Sequence, residues 1–89
     1  MNYQYPLDET WSKQEIIDVV NFFSLMEKAY ESKVNKQNVL AVYNRLKEII
    51  PSKSEEKKVF AAFEKESGYS SYKVVKKARE TKEELFSMK

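Results

Sequence analysis

The chain contains no cysteine and no histidine, one glycine (Gly68) and two prolines (Pro6 and Pro51). Each absence removes a class of chemistry. Without cysteine there is neither a disulfide nor a thiolate nucleophile. Without histidine there is no imidazole base, and with both missing there is no ordinary zinc site. A single glycine cannot build the G-x-G-x-x-G or G-x-x-x-x-G-K cradles that hold phosphate groups. No apolar run approaches the roughly 20 residues that span a bilayer. No basic N-terminal region precedes an apolar stretch, so a signal peptide is not expected. The reading is therefore of a cytoplasmic protein that is not an enzyme, with no catalytic, cofactor-binding or metal-ligating residues and no membrane partner.

What is present fits one small domain over residues 1–89. The chain is 42% apolar and 34% charged, well outside the disordered range. A chain of this length buries only roughly 60–65% of its unfolded surface, so its stability rests on good packing or on a partner. The formal net charge of +2 hides an uneven distribution. Residues 1–31 carry six acids against two bases. Residues 32–50 carry four bases against one acid, and residues 69–89 carry six against three.

Helix signals recur along the chain. Ser12 and Glu15 have capping-box spacing, and Trp11 and Ile16 have the spacing of a hydrophobic staple. From there Ile16, Val19, Val20, Phe22, Phe23, Met26, Ala29 and Tyr30 cover about half the circumference of a helix at ~100° per residue. A stripe that broad meets more than one neighbour, so this helix is read as the central one. Asn35 is a plausible cap for a second helix with an apolar face of Val39, Val42, Tyr43, Leu46, Ile49 and Ile50, stopped by Pro51. Glu55 and Glu56 suit the first turn of a third helix, whose Val59, Phe60, Ala62 and Phe63 face inward. Gly68 fits the left-handed residue that ends it. A fourth helix follows from Ser70 or Ser71 on a thinner stripe of Val74, Val75, Ala78 and Leu85, with Phe86 and Met88 at the rim. The expectation is an all-α domain of about four helices, near 12–31, 35–50, 53–67 and 71–87. An extended arm over 1–11 precedes them, anchored by Tyr3, Tyr5 and Leu7.

Several constellations are candidates for function. Lys73, Lys76, Lys77, Arg79 and Lys82 precede Glu80, Glu83 and Glu84 on the fourth helix. On a helix running to residue 87 this order opposes the helix dipole, so local stability does not explain it. With Tyr72, these cations form a candidate partner-binding face for an anionic surface, whether RNA, DNA or an acidic protein. The plainer alternatives are a solvated face laced by Lys76–Glu80 and Arg79–Glu83 pairs, or docking on the acidic N-terminal third of the same chain. The helix–Gly68–helix outline resembles helix–turn–helix DNA readers. Glu64 and Lys77 stand where that motif wants a small and an apolar residue. Glu27 lies inside the apolar stripe of the first helix, where a carboxylate has a raised pKa suited to acid or base work or, more often, pairs with a Lys or Arg at the stripe edge or snorkels near the helix end. Ser70-Ser71-Tyr72 could accept phosphate, but a cap and turn explain both serines. The abundant Tyr and Trp, with Ile17 and Leu25 off the main stripe, suit an interface. An unknown protein partner or a second copy is the favoured partner, with nucleic acid the alternative.

An ordered series of segments is also familiar. Tyr3-Gln4-Tyr5-Pro6-Leu7-Asp8 with Trp11 comes first, then Glu27-Lys28-Ala29-Tyr30-Glu31. Ile50-Pro51-Ser52-Lys53 follows with Glu55-Glu56-Lys57-Lys58, and then Glu66-Ser67-Gly68-Tyr69-Ser70-Ser71-Tyr72. Together they resemble the YktA-like uncharacterised protein family, short helical proteins of Bacillus and related Gram-positive bacteria. The resemblance runs from the arm to about Glu80. It implies a compact all-α domain in the bacterial cytoplasm and carries over no functional residue.

Overall fold

The structure, a computed structural model, describes residues 5–89. Its elements in chain order are α1 (Lys13–Glu31), β1 (Val34–Asn35), α2 (Lys36–Ile49), α3 (Lys53–Ser67), α4 (Ser71–Glu80) and β2 (Leu85–Phe86). The fold is all-α, with two short strands as an addition.

The helix ends follow the capping chemistry. The Ser12 hydroxyl accepts the Glu15 N–H at 3.1 Å, and the Glu15 carboxylate accepts the Ser12 N–H at 2.8 Å. Both halves of the capping box are therefore made. Asn35 Oδ1 accepts from the amides of Gln37 and Asn38, which starts α2. Ser52 and Ser70 cap α3 and α4 in the same way. Gly68, at φ 81°, closes α3 in the left-handed region and donates to the Glu64 carbonyl at 2.7 Å. Only glycine adopts that conformation without a Cβ penalty.

The long α1 is central, as its broad stripe implies. It packs on α2 and α4, and its Phe22 and Phe23 rings meet Phe60 and Phe63 of α3. Val19, Phe22, Phe23, Met26 and Ala29 are fully buried. The arm reaches the same core through Tyr5, whose ring lies 5.8 Å from Phe23 and 6.1 Å from Phe63. Its hydroxyl donates to Glu27 at 2.9 Å. Tyr3, another expected anchor, lies outside the described residues. Leu7, the third, is exposed rather than anchored.

The last segment departs from expectation. The fourth helix ends at Glu80, not near residue 87. Thr81 adopts an extended backbone, and its hydroxyl accepts the Glu83 N–H at 3.2 Å. That local bond gives the chain an alternative to another helical turn. Glu83 and Glu84 would also sit at the negative end of a longer helix. The tail instead forms β2, antiparallel to β1, with Val34 opposite Phe86 and Asn35 opposite Leu85. Three further bonds tie it down. The Lys36 N–H, an unpaired donor in the first turn of α2, finds the Glu84 carbonyl at 2.7 Å. Lys36 Nζ donates to the Thr81 carbonyl at 2.6 Å. The Met88 amide donates to the Ala29 carbonyl at the end of α1. Strand alternation then buries Phe86 and leaves Leu85 53% exposed.

This arrangement makes a differential prediction. Phe86→Ala removes a buried ring and is expected to cost about 3 kcal/mol in urea denaturation. Leu85→Ala is expected to stay within about 0.5 kcal/mol. Equal, small losses at both positions would mean that Phe86 sits on an exposed helical rim instead.

Candidate binding cleft

Three elements meet around a carboxylate that sequence reasoning assigned only to the dipole of α3. Glu56 is 1% exposed. It shares a face with Phe60 and Phe63 at i, i+4 and i+7, so the spacing marked it as inward-facing. A buried carboxylate needs partners or it costs several kcal/mol. Glu56 has two. Its Oε2 accepts the Tyr72 hydroxyl of α4 at 3.1 Å, and its Oε1 lies 3.9 Å from Lys47 Nζ of α2. Oε1 receives no hydrogen bond in the structure.

Those partners lead outward to a cleft of about 350 Å³ lined by Tyr43, Lys53, Tyr72, Val75, Lys76, Arg79 and Glu80. Tyr43 is its buried floor. Lys47 Nζ lies 5.2 Å from the Tyr43 ring centroid and the Arg79 guanidinium 5.3 Å from it, so the ring is flanked by two cations. Tyr72 packs edge-on against Phe60 at 4.6 Å. The residue is 41% exposed, yet its hydroxyl reaches the buried carboxylate. Burial, then the hydrogen bond to Glu56 and the negative charge there, pushes the Tyr72 phenol up to about 12.

The candidate cations divide between two faces. Tyr72, Val75, Lys76 and Arg79 follow i, i+3, i+4 and i+7 spacing and line the cleft. Lys77 does not. Its ammonium donates to the Ser87 carbonyl at 2.7 Å and holds the C-terminal tail. Lys73 and Lys82 are exposed and away from the cleft lining. Lys53, from the first turn of α3, is a cleft cation that sequence reasoning missed, because only the chain path brings it beside α4. Among the described residues Lys53, Lys76 and Arg79 make no ion pair.

The shorter helix also reverses one electrostatic argument. With α4 ending at Glu80, Lys77 and Arg79 lie in its last turn, where the dipole favours cations. For Lys77 and Arg79 the dipole objection therefore disappears, while Lys73 in the first turn and Glu80 at the end still oppose it. The Lys76–Glu80 and Arg79–Glu83 pairs of the solvated-face reading do not form among the described residues, and Glu83 lies beyond the helix. Glu27 likewise pairs with Tyr5 instead of the Lys or Arg expected at the stripe edge. Burial raises its pKa, and the Tyr5 hydrogen bond offsets part of that. No group of three or more carboxylates able to hold a metal occurs among the described residues. No described helix is long and apolar enough to cross a membrane.

Comparison with known proteins gives the family. The model of an uncharacterised protein family, UPF0223, matches residues 2–87. The chain belongs to the UPF0223 family. A family protein of Oceanobacillus iheyensis is 67% identical over 88 residues, covering 99% of this chain and all of the relative. One from Bacillus pumilus is 58% identical over 83 residues, 93% of each chain. One from Staphylococcus aureus strain Newman is 50% identical over 84 residues, 94% of this chain and 92% of the relative. These Gram-positive sources agree with the resemblance carried by the ordered segments from the arm to Tyr72.

The Tyr72–Glu56 bond can be tested by stability. Tyr72→Phe strands the buried carboxylate and is expected to cost about 2 kcal/mol. Glu56→Gln keeps an acceptor for Tyr72 and is expected to cost less. The folded state holds the Tyr72 proton more tightly than the ordinary phenol at 10.0. Its contribution is therefore complete below pH 10 and is lost as pH rises towards about 12. Denaturation across that window should show the loss in the native chain and a smaller one in Tyr72→Phe.

Proposed function

We propose that the chain is a small non-enzymatic interaction or regulatory module of the bacterial cytoplasm, and that its working surface is the cleft between α2, α3 and α4. The observation that carries this reading is the trio Lys53, Lys76 and Arg79. They surround a half-exposed tyrosine and have no ion-pair partner among the described residues. Cations beside an exposed aromatic ring favour a partner that offers carboxylates next to an apolar side chain. The shape of the site supports binding rather than turnover. Its one buried carboxylate is engaged by Tyr72 and Lys47 rather than directed at the open cleft.

A second reading keeps the same residues. Tyr72 could stack a base while Lys53, Lys76 and Arg79 follow the phosphates of a single strand. Glu80 in the lining and the near-balanced net charge weigh against it.

Two labelled probes separate the readings, an acidic peptide carrying leucine among glutamates and a single-stranded RNA. The peptide is expected to bind, and Lys76→Glu with Arg79→Glu is expected to weaken it at least about tenfold. RNA binding with a steep salt dependence and the same sensitivity would establish the second reading instead. Binding of neither probe at low salt would overturn both.

A further inference from the structure

The cleft has a complement elsewhere on the same molecule. The arm makes a tight turn at Pro6–Thr10. The Leu7 amide donates to the Tyr5 carbonyl at 2.9 Å, and the Trp11 amide to the Asp8 carbonyl at 3.1 Å. The Thr10 amide and hydroxyl both donate to Asp8 Oδ1 at 2.8 Å. These bonds fix the turn and hold the Asp8 carboxyl below the usual range, so it stays charged. At the tip, Leu7 is 44% exposed and is followed by the exposed acids Asp8 and Glu9. Neither acid makes an ion pair among the described residues.

An apolar side chain followed by two carboxylates is the ligand chemistry that the basic, tyrosine-floored cleft calls for. The arm turn does not line the cleft of its own chain: it borders a separate hollow with Glu55 and Val59, while the cleft is bordered by Lys53. Residues 53 and 55 lie two apart in the first turn of α3, so their side chains point about 200° apart. The acidic turn and the basic cleft therefore flank the same helix end on opposite sides. A two-fold axis just beyond that end and perpendicular to α3 would carry the acidic side of each copy onto the basic side of the other.

Resting on the reading of the cleft as a recognition surface, we infer that its occupant is a second copy of this chain. Leu7, Asp8 and Glu9 of each protomer seat against Tyr72, Lys53 and Lys76 of its partner. Both contacts are made at once, which is why the acidic first third and the basic last quarter of the sequence can be so unevenly charged. The buried patch is small and rich in charge, so the dimer is reversible and weakened by salt.

The test is the mass in solution of the full chain by sedimentation and light scattering over a range of concentrations. At low salt the mass is expected to rise from 10.6 kDa towards twice that value, and to fall back when salt is added. Asp8→Lys with Glu9→Lys, and separately Lys53→Glu with Lys76→Glu, should each weaken dimerisation at least about tenfold. These side chains are exposed, so helical content should be little changed. Asp8→Lys also removes the Thr10 bonds of the turn, so the deciding readout is reassociation in the mixture, which a merely loosened turn would not give. Mixing the two variants should restore the dimer. One then carries acids on both patches and the other carries bases on both, and each cross-contact regains its opposite sign. A native chain that stays monomeric at every concentration overturns the inference. So does a dimer indifferent to both reversals, or a mixture that does not reassociate. Peptide binding to the cleft is measured separately, so a strict monomer that binds the acidic peptide would remove the second copy while leaving the recognition reading intact.

Discussion

Two adjacent phenylalanines on α1 hold the fold together. Neighbouring positions on a helix point about 100° apart, so Phe22 and Phe23 serve two directions from one turn. Their rings meet edge-on at 5.1 Å. Phe22 stacks on Phe60 at 5.5 Å and reaches Tyr43 of α2 at 6.3 Å. Phe23 stacks on Phe63 at 4.4 Å and receives Tyr5 from the arm. Each such pair contributes about 0.5–1.5 kcal/mol beyond the burial of its area. Together they join the arm, α2 and α3 to one helix. The ring series continues from Phe60 to Tyr72 at 4.6 Å, so α4 is fastened to the same cluster. The cleft is where that series reaches the surface.

The placement of Glu56 follows from this geometry and sharpens it. A leucine or methionine would fill an inward position beside Phe60 without the cost of burying a carboxylate. Glu56 instead fixes two side chains that a hydrocarbon could not hold. It holds the hydroxyl of Tyr72, which sets how that ring stands at the cleft, and it draws Lys47 towards the floor beside Tyr43. Stability alone favours the hydrocarbon. The carboxylate makes sense where the orientation of Tyr72 and the position of the cation matter.

Much of this was legible in the sequence, and what was not has definite causes. Caps at Ser12 and Asn35, the stop at Gly68 and the broad stripe of α1 are local signals, and each appears in the structure where its spacing placed it. Of the two serines open as the start of the fourth helix, the structure uses Ser70 as the cap. The end of α4 was misread because Leu85, Phe86 and Met88 extend an apolar stripe about as well as they form a strand. The competing bond from the Glu83 N–H to the Thr81 hydroxyl and the pairing with β1 decide the matter, and the second is a contact across about fifty residues. For the same reason Lys77 looked like a companion of Lys76. Adjacent in sequence, the two residues point to different faces, and only one of those faces borders the cleft. The i, i+3, i+4, i+7 series from Tyr72 to Arg79 held that distinction, but a tally of basic residues did not. Lys53 carried no comparable signal.

The charge pattern that the composition concealed also acquires a physical meaning. Each of the three ion pairs among the described residues has its cation on α2, in Arg45 or Lys47. None joins the acidic turn of the arm to the basic end of the chain. Exposed pairs of that kind would contribute little to folding, typically under about 1 kcal/mol, so folding exerts little pressure to form them. Two patches of opposite sign, each held by a rigid local framework, are left facing solvent. One is fixed by the Asp8–Thr10 turn and the other by the Glu56–Tyr72 bond. Such preorganisation does little for the stability of an isolated monomer, but it lowers the entropy lost when a charged surface meets its complement. The framework around each patch thus contributes little to the folding of the monomer, which is the premise of the proposed recognition role.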